Sequence, residues 1–203
     1  IQSLKKIGID YLLIPEKNDI ENFSNPFDTK LEPKKITDDL CGKYRPGHFL
    51  AVIDIIHRFF QIIKPKNILL GRKDYQQIIV IKELIKIYNY NINIISADTV
   101  RNKDGLALSS RNNFLTKEEI KIASEIQSSL LLSKKLYNDN ISINEITAMI
   151  NELFLQSFIN LEYFTIRDLK TLQHRNDNDL IALIAVYLGD IRLIDNIIIK
   201  SKQ

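Results

Sequence analysis

The sequence has 203 residues, room for one large domain or two small ones, and 45% hydrophobic with 26% charged residues is an ordinary globular balance. A formal net charge of +3 is too small to argue for a nucleic-acid partner. The one cysteine, Cys41, excludes an internal disulfide and fits a reducing cytoplasm, and no apolar run reaches the ~18 residues of a membrane span.

The opening residues lack both an initiator Met and the apolar stretch of a signal peptide, so the sequence is expected to begin inside something longer. Leu4 to Ile7 reads as the last turn of a helix stopped by Gly8, and residues 9–14 as a short buried strand closed by Pro15. Residues 16–47 are polar, carry Pro26, Pro33 and Pro46, and read mainly as loop. Apolar residues recur at helical spacing over 49–63. A strand at 67–71, a helix at 74–88 and a strand at 92–95 follow. This βαβ alternation predicts a parallel sheet.

The pattern changes near residue 98. Thr116 with Glu119, and Ser142 with Glu145, have the capping-box form and open two helices, the first running to about Tyr137. Three strand-like runs follow at 161–166, 180–187 and 191–199, the last two joined by the hairpin signal Gly189-Asp190. A second, α+β unit over 98–203 is therefore expected after a first unit over 1–97.

Three stretches carry chemistry. Gly71-Arg72-Lys73-Asp74-Tyr75-Gln76-Gln77 sits where a strand hands over to a helix, and free backbone N–H groups there welcome an anion. Lys73 adds a mobile charge, and Gln77 lies one helical turn later, able to face the same ligand. The same residues equally fit a solvated βα loop. Val100-Arg101-Asn102-Lys103-Asp104-Gly105-Leu106-Ala107-Leu108-Ser109-Ser110-Arg111-Asn112 offers two hydroxyls and a guanidinium, a set that grips phosphate oxygens. Asp104-Gly105 is a turn signal compatible with a mobile flap, and a polar interdomain linker fits these residues too. In Leu40-Cys41-Gly42-Lys43-Tyr44-Arg45-Pro46-Gly47-His48-Phe49, Arg45 and His48 stand at a helix start. They can meet an anion, although a capping or packing role for His48 is the simpler reading. Three dispersed histidines and one cysteine give no metal-ligand spacing.

Together and in this order, these stretches resemble the pantothenate synthetases: Leu-Cys-Gly-x-x-Arg-Pro-Gly-His-Phe at 40–49, Gly-x-Lys-Asp-Tyr-Gln-Gln at 71–77, and Val-Arg-x-x-Asp-Gly-Leu-Ala-x-Ser-Ser-Arg-Asn at 100–112. The ending from Gly189 to Asn196 looks like that family's last hairpin. The resemblance implies a Rossmann-type, adenylate-forming nucleotide-binding domain, here incomplete at its N-terminus, followed by a small α+β lid. It implies a ligase that joins pantoate to β-alanine with Mg-ATP through a pantoyl adenylate, in a cytoplasmic homodimer joined through the N-terminal domain. By the same resemblance Gly71, Arg72, Lys73 and Asp74 fall on the nucleotide-contacting turn, Gln77 on the pantoate position, and Val100 where backbone meets adenine. Leu108, Ser109, Ser110 and Arg111 fall on the phosphate-gripping segment. Lys73, Ser109, Ser110 and Arg111 would carry catalysis.

There are departures. Arg72 stands where an acidic or amide residue is common, and Leu50-Ala51 replaces a frequent Arg-Gly. The family's His-x-Gly-His segment and an upstream Gln have their places before Ile1, so a strand edge and an apolar face of the sheet are expected to be poorly covered. Three other readings stay open on the sequence: a truncated, non-catalytic nucleotide-binding chain or dimer partner, a nucleotidyltransferase of the same superfamily with another substrate, and a basic nucleic-acid-binding module.

Overall fold

The computed structural model describes residues 2–174 and 179–200. Helix α1 (Gln2–Lys6) ends as expected at Gly8, whose φ of +74° suits glycine. Residues 9–14 do not form the expected strand. They join no ladder, and Tyr11 is 92% exposed. An apolar run becomes a strand only where a neighbour takes its backbone hydrogen bonds, and none of the described strands lies beside it.

Residues 16–47 also depart from expectation. They fold into short helices, α2 (Lys17–Asn22), α3 (Lys34–Thr37) and α4 (Cys41–Tyr44), with a 3₁₀ turn at Thr29–Leu31. Glu16 and Asp19 form a capping box at α2. Gly42 packs so tightly that a Cβ there would lie 1.6 Å from the Thr37 carbonyl oxygen, which fixes α4 against α3.

Helix α5 (His48–Ile63) matches the periodicity and buries Phe49, Ile53, His57 and Phe60. Strand β1 (Asn67–Gly71) pairs in parallel with β2 (Asn93–Ala97), and α6 (Tyr75–Ile87) connects them. Ile68, Leu70 and Ile94 face α5 and α6, while Leu69 and Ile95 point outward and are exposed. One face of this small sheet is thus covered and the other open, as expected.

The long helix predicted after Thr116 is two helices, α7 (Lys117–Ala123) and α8 (Glu125–Asn138). The break is at Ser124. Its N–H turns to the Lys121 carbonyl at 3.2 Å and its hydroxyl donates to the same oxygen at 2.6 Å, so local serine bonding replaces the regular ladder. Helix α9 (Ile143–Leu155) opens with the predicted Ser142–Glu145 box. Strands β3 (Asn160–Asp168), β4 (Leu180–Leu188) and β5 (Ile191–Lys200) form an antiparallel sheet in that order.

One face of this sheet packs on α8 and α9 around Leu130, Ile146, Ile150, Ile184 and Val186. On the other side, Tyr75, Ile78 and Ile79 of α6 meet Ile181 and Leu183 of β4. The start of α6 is therefore held between the two sheets.

Leu130 has no exposed surface. Leu130→Ala is expected to cost roughly 2–5 kcal/mol. Leu69→Ala, at a 67% exposed position, should stay within about 0.5 kcal/mol of the parent, both measured by urea unfolding. His57 is buried with its Nδ1 2.9 Å from the Tyr90 hydroxyl, and burial pushes its pKa below the usual value. The unfolded chain then binds the proton more readily, so stability is complete above about pH 6.5 and falls as pH drops through the lowered native pKa. Denaturation midpoints at pH 7.5 and 5.5 should show this loss, and His57→Gln should flatten it.

Candidate active site

The site is built around the turn between β1 and α6. After Gly71 the chain takes a 3₁₀ turn over Arg72–Asp74 and enters α6 at Tyr75. Gly71 has an ordinary extended backbone with open space beside it, so the turn does not require a glycine for its conformation. What shapes the turn comes from far along the chain. The Asn196 side-chain amide on β5 donates to the carbonyls of Arg72 and Lys73, both at 2.9 Å. The Tyr75 hydroxyl donates to the Leu169 carbonyl at 2.9 Å. The Gln76 amide donates to the Ile36 and Asp39 carbonyls at 2.8 Å, and its oxygen accepts the Cys41 N–H at 3.0 Å.

The turn's carrying residues are left free. Among the described residues, the side chains of Lys73, Asp74 and Gln77 make no hydrogen bond or ion pair. All three line a small cavity of about 40 Å³, together with Arg45, His48, Phe49, Tyr163 and Ile194. Lys73 and Asp74 also line an adjoining cavity of about 230 Å³, which Ser109, Arg111, Asn112 and Arg192 complete. Of the sequence-predicted residues, Lys73, Asp74, Gln77, Ser109 and Arg111 thus converge. Gly71, Arg72, Val100, Leu108 and Ser110 line neither cavity. Arg72 pairs with Asp98 at 2.7 Å, and Val100 and Leu108 are exposed.

The segment 100–112 is tightly braced. Arg101 and Ala107 form a β-bridge, and the Leu108 N–H donates to the Val100 carbonyl at 2.9 Å. The Asn102 side chain accepts the N–H groups of Asp104 and Leu106, and Gly105 turns at φ +89°. Arg101 then clamps Asp195 of β5 through two bonds of 2.5 and 3.0 Å. The Ser109 hydroxyl accepts the Arg111 N–H and caps the following 3₁₀ turn, and Arg111 Nη1 donates to the Arg192 carbonyl at 2.8 Å.

Several residues were not foreseen as site residues from the sequence. Arg192 is buried and grips Glu162 with Nη2 to Oε2 at 2.5 Å, and its Nη2 also reaches the Cys41 sulfur at 3.4 Å. Asp195 and Asn196 act as braces. The only advance signal for these three was the hairpin motif that contains them. His48 proves to line the small cavity at the first turn of α5, and Arg45 lines both cavities. Burial, then the charges of Arg45, Arg192 and Arg111, push the His48 pKa down. Burial, then Arg192 and Arg111, likewise lower that of Arg45. The arrangement is a positively charged double cavity suited to holding anions side by side.

The family model described as pantoate-beta-alanine ligase matches residues 1–198. The chain belongs to the pantoate–β-alanine ligase family. Family membership makes it a ligase. The chain is 37% identical to the pantothenate synthetase of Marinomonas sp. (strain MWYL1) over 197 residues, 96% of this chain and 70% of that protein. It is 36% identical to that of Coprothermobacter proteolyticus over 202 residues, again 70% of the relative. Its fold matches a crystal structure of pantoate–β-alanine ligase from Thermus thermophilus with a TM-score of 0.89 at 28% identity, covering 98% of this chain and 72% of that one. The ligase from Francisella tularensis, solved in complex with β-γ ATP and β-alanine, matches with a TM-score of 0.72 at 34% identity, covering 99% of this chain and 69% of that one.

Asn196→Ala would leave two inward carbonyls without their donor. A loss of about 1–3 kcal/mol is expected, read as a lower urea midpoint at unchanged slope.

Proposed function

We propose that this site joins pantoate to β-alanine with ATP in two steps. A pantoate carboxylate oxygen bonds to the α-phosphorus, the bond from that phosphorus to the bridging oxygen of the β-phosphate breaks, and pyrophosphate leaves. The β-alanine amine then bonds to the acyl carbon, the bond to the AMP oxygen breaks, the amine loses its proton, and AMP and pantothenate depart. The observation that carries the reading is that Lys73 and Asp74 line both cavities, one completed by Gln77 and the other by Ser109 and Arg111. Neither step needs a protein nucleophile. Alignment of two anions and stabilisation of charge on the five-coordinate phosphorus supply the catalysis.

In this reading Lys73 neutralises the developing phosphoryl charge. Ser109, Ser110 and Arg111 hold the phosphates, and Gln77 bonds the pantoate. Gly71, Arg72 and Asp74 form the nucleotide turn, its open flank at Gly71 leaving space for a ligand to approach. Val100 offers its backbone to adenine, and Leu108 leads into the phosphate grip. Among the described residues no three His, Cys, Asp or Glu side chains form a metal cage. Mg²⁺ that travels with phosphates needs only one or two carboxylates, and Asp74, which pairs with no described residue and is shared by both cavities, fits that part. There the ion would offset phosphate charge.

The proposal also takes residues 1–97 as the nucleotide-binding unit and 98–203 as a lid. A separate apolar cluster running from Leu106 to Ile199 supports the division. A cytoplasmic homodimer joined through the first unit is part of the same reading and rests on the family resemblance. Among the described residues no helix is long and apolar enough to cross a membrane.

Lys73→Ala tests the reading. Pantoate-dependent release of pyrophosphate from ATP is expected to fall about 10²–10³-fold. The melting temperature should hold, because the Lys73 side chain makes no hydrogen bond or ion pair with any described residue and lines both cavities. An unchanged rate removes Lys73 from the mechanism.

A further inference from the structure

Four residues line both cavities: Arg45, Lys73, Asp74 and Ile194. Arg45 is the one whose position looks costly. It lies in the turn between α4 and α5, half-buried, and its backbone is satisfied, with its N–H on the Gly42 carbonyl and its own carbonyl accepting the His48 N–H. Its guanidinium makes no hydrogen bond or ion pair with any described residue.

The groups around it deepen the imbalance. Arg192 and Arg111 repel it, and the nearby carboxylates are committed elsewhere, Glu162 to Arg192 and Asp195 to Arg101. Among the described residues Asp74 is the carboxylate that lines the junction without an ion pair, beside Arg45, Lys73, Arg111 and Arg192, and Cys41 and Tyr187 oppose the repulsion on Arg45 only in part. A half-buried guanidinium in a field of its own sign is poorly stabilised unless an anion joins it. Its five donors lie in one plane and can span two oxygen-bearing groups at once, which the point charge of a lysine cannot do.

We propose that Arg45 is a catalytic residue of this ligase, bridging the attacking carboxylate and the phosphoryl group that receives it at the junction of the two cavities. The inference rests on the two-cavity reading above and assigns a role to a residue that the reading leaves unused. As the oxygen–phosphorus bond forms, the fork holds both partners in line and offsets their mutual repulsion. Lys73 meets the charge that builds on the phosphoryl oxygens.

The test measures two ligands separately on the full chain by calorimetry, pantoate and inorganic pyrophosphate. Arg45→Gln is expected to weaken both, each by about tenfold or more, because one charged donor is lost to each. Gln77→Ala should weaken pantoate alone, and Arg111→Gln pyrophosphate alone. Arg45→Lys keeps the charge and loses the fork, so it too should weaken both, and it stands in if the glutamine variant fails to fold. A second readout is the His48 imidazole signal in NMR, which faces Arg45, Arg192, Arg111 and Asp74. Its pKa should rise when Arg45 is neutralised and also when pyrophosphate fills the wild-type site. Loss of only one ligand, or of neither, in the Arg45 variants overturns the proposal, as does a His48 titration unmoved by Arg45→Gln. If Gln77→Ala and Arg111→Gln are silent as well, the two-cavity reading itself is what fails.

Discussion

Strand β5 is the constraint on which the site depends. Arg192, Ile194, Asp195 and Asn196 of this strand line the cavities, while Ile197 and Ile199 belong to the core under α8 and α9, and Leu193 joins that core and borders the larger cavity. From this one strand, Asn196 holds the Arg72–Lys73 turn, Asp195 holds Arg101, and the Arg192 carbonyl holds Arg111. The turn and the segment 100–112 therefore do not position each other. Both are referenced to a strand whose other side is fixed by a buried apolar core. A displacement of β5 would be felt at both segments at once.

The same economy separates rigidity from availability within the turn. Tyr75 and Gln76 point inward and spend their polar atoms on backbone carbonyls and one N–H of distant segments. Lys73, Asp74 and Gln77, which flank them, make no side-chain hydrogen bond or ion pair among the described residues. Lys73 in the 3₁₀ turn and Gln77 in the first turn of α6 both line the small cavity, while Tyr75 and Gln76 between them anchor the turn to distant segments. The polar groups that would face substrate need little rearrangement, which is the condition for electrostatic stabilisation of a transition state.

What the sequence disclosed follows from what is local. Helical periodicity placed α5 and α6, the two Ser/Thr capping boxes placed the starts of α7 and α9, and Gly189-Asp190 placed the β4–β5 hairpin. Residues 9–14 misled because a run of Leu and Ile reports hydrophobicity, not the presence of a pairing strand. Residues 16–47 misled because helices of four to six residues are too short to show a period. The break at Ser124 depends on one hydroxyl choosing a carbonyl, and neighbouring residues keep helical character on both sides.

The site divides in the same way. Lys73, Gln77, Ser109 and Arg111 were readable because each sits beside a recognisable strand-to-helix or hydroxyl-guanidinium pattern. Asn196 was not, because its bonds to the turn span 123 and 124 residues. Arg45 and His48 were visible but underweighted, since their meaning depends on Arg111 and Arg192, which only the folded chain brings near. Like charges placed together oppose folding, and the braces that tolerate them are themselves buried ion pairs, Arg192 with Glu162 and Arg101 with Asp195, whose desolvation offsets much of their attraction. Such an arrangement adds little stability compared with the Leu and Ile core nearby. In the proposed reading it is a site left electrostatically incomplete, which bound anions would complete.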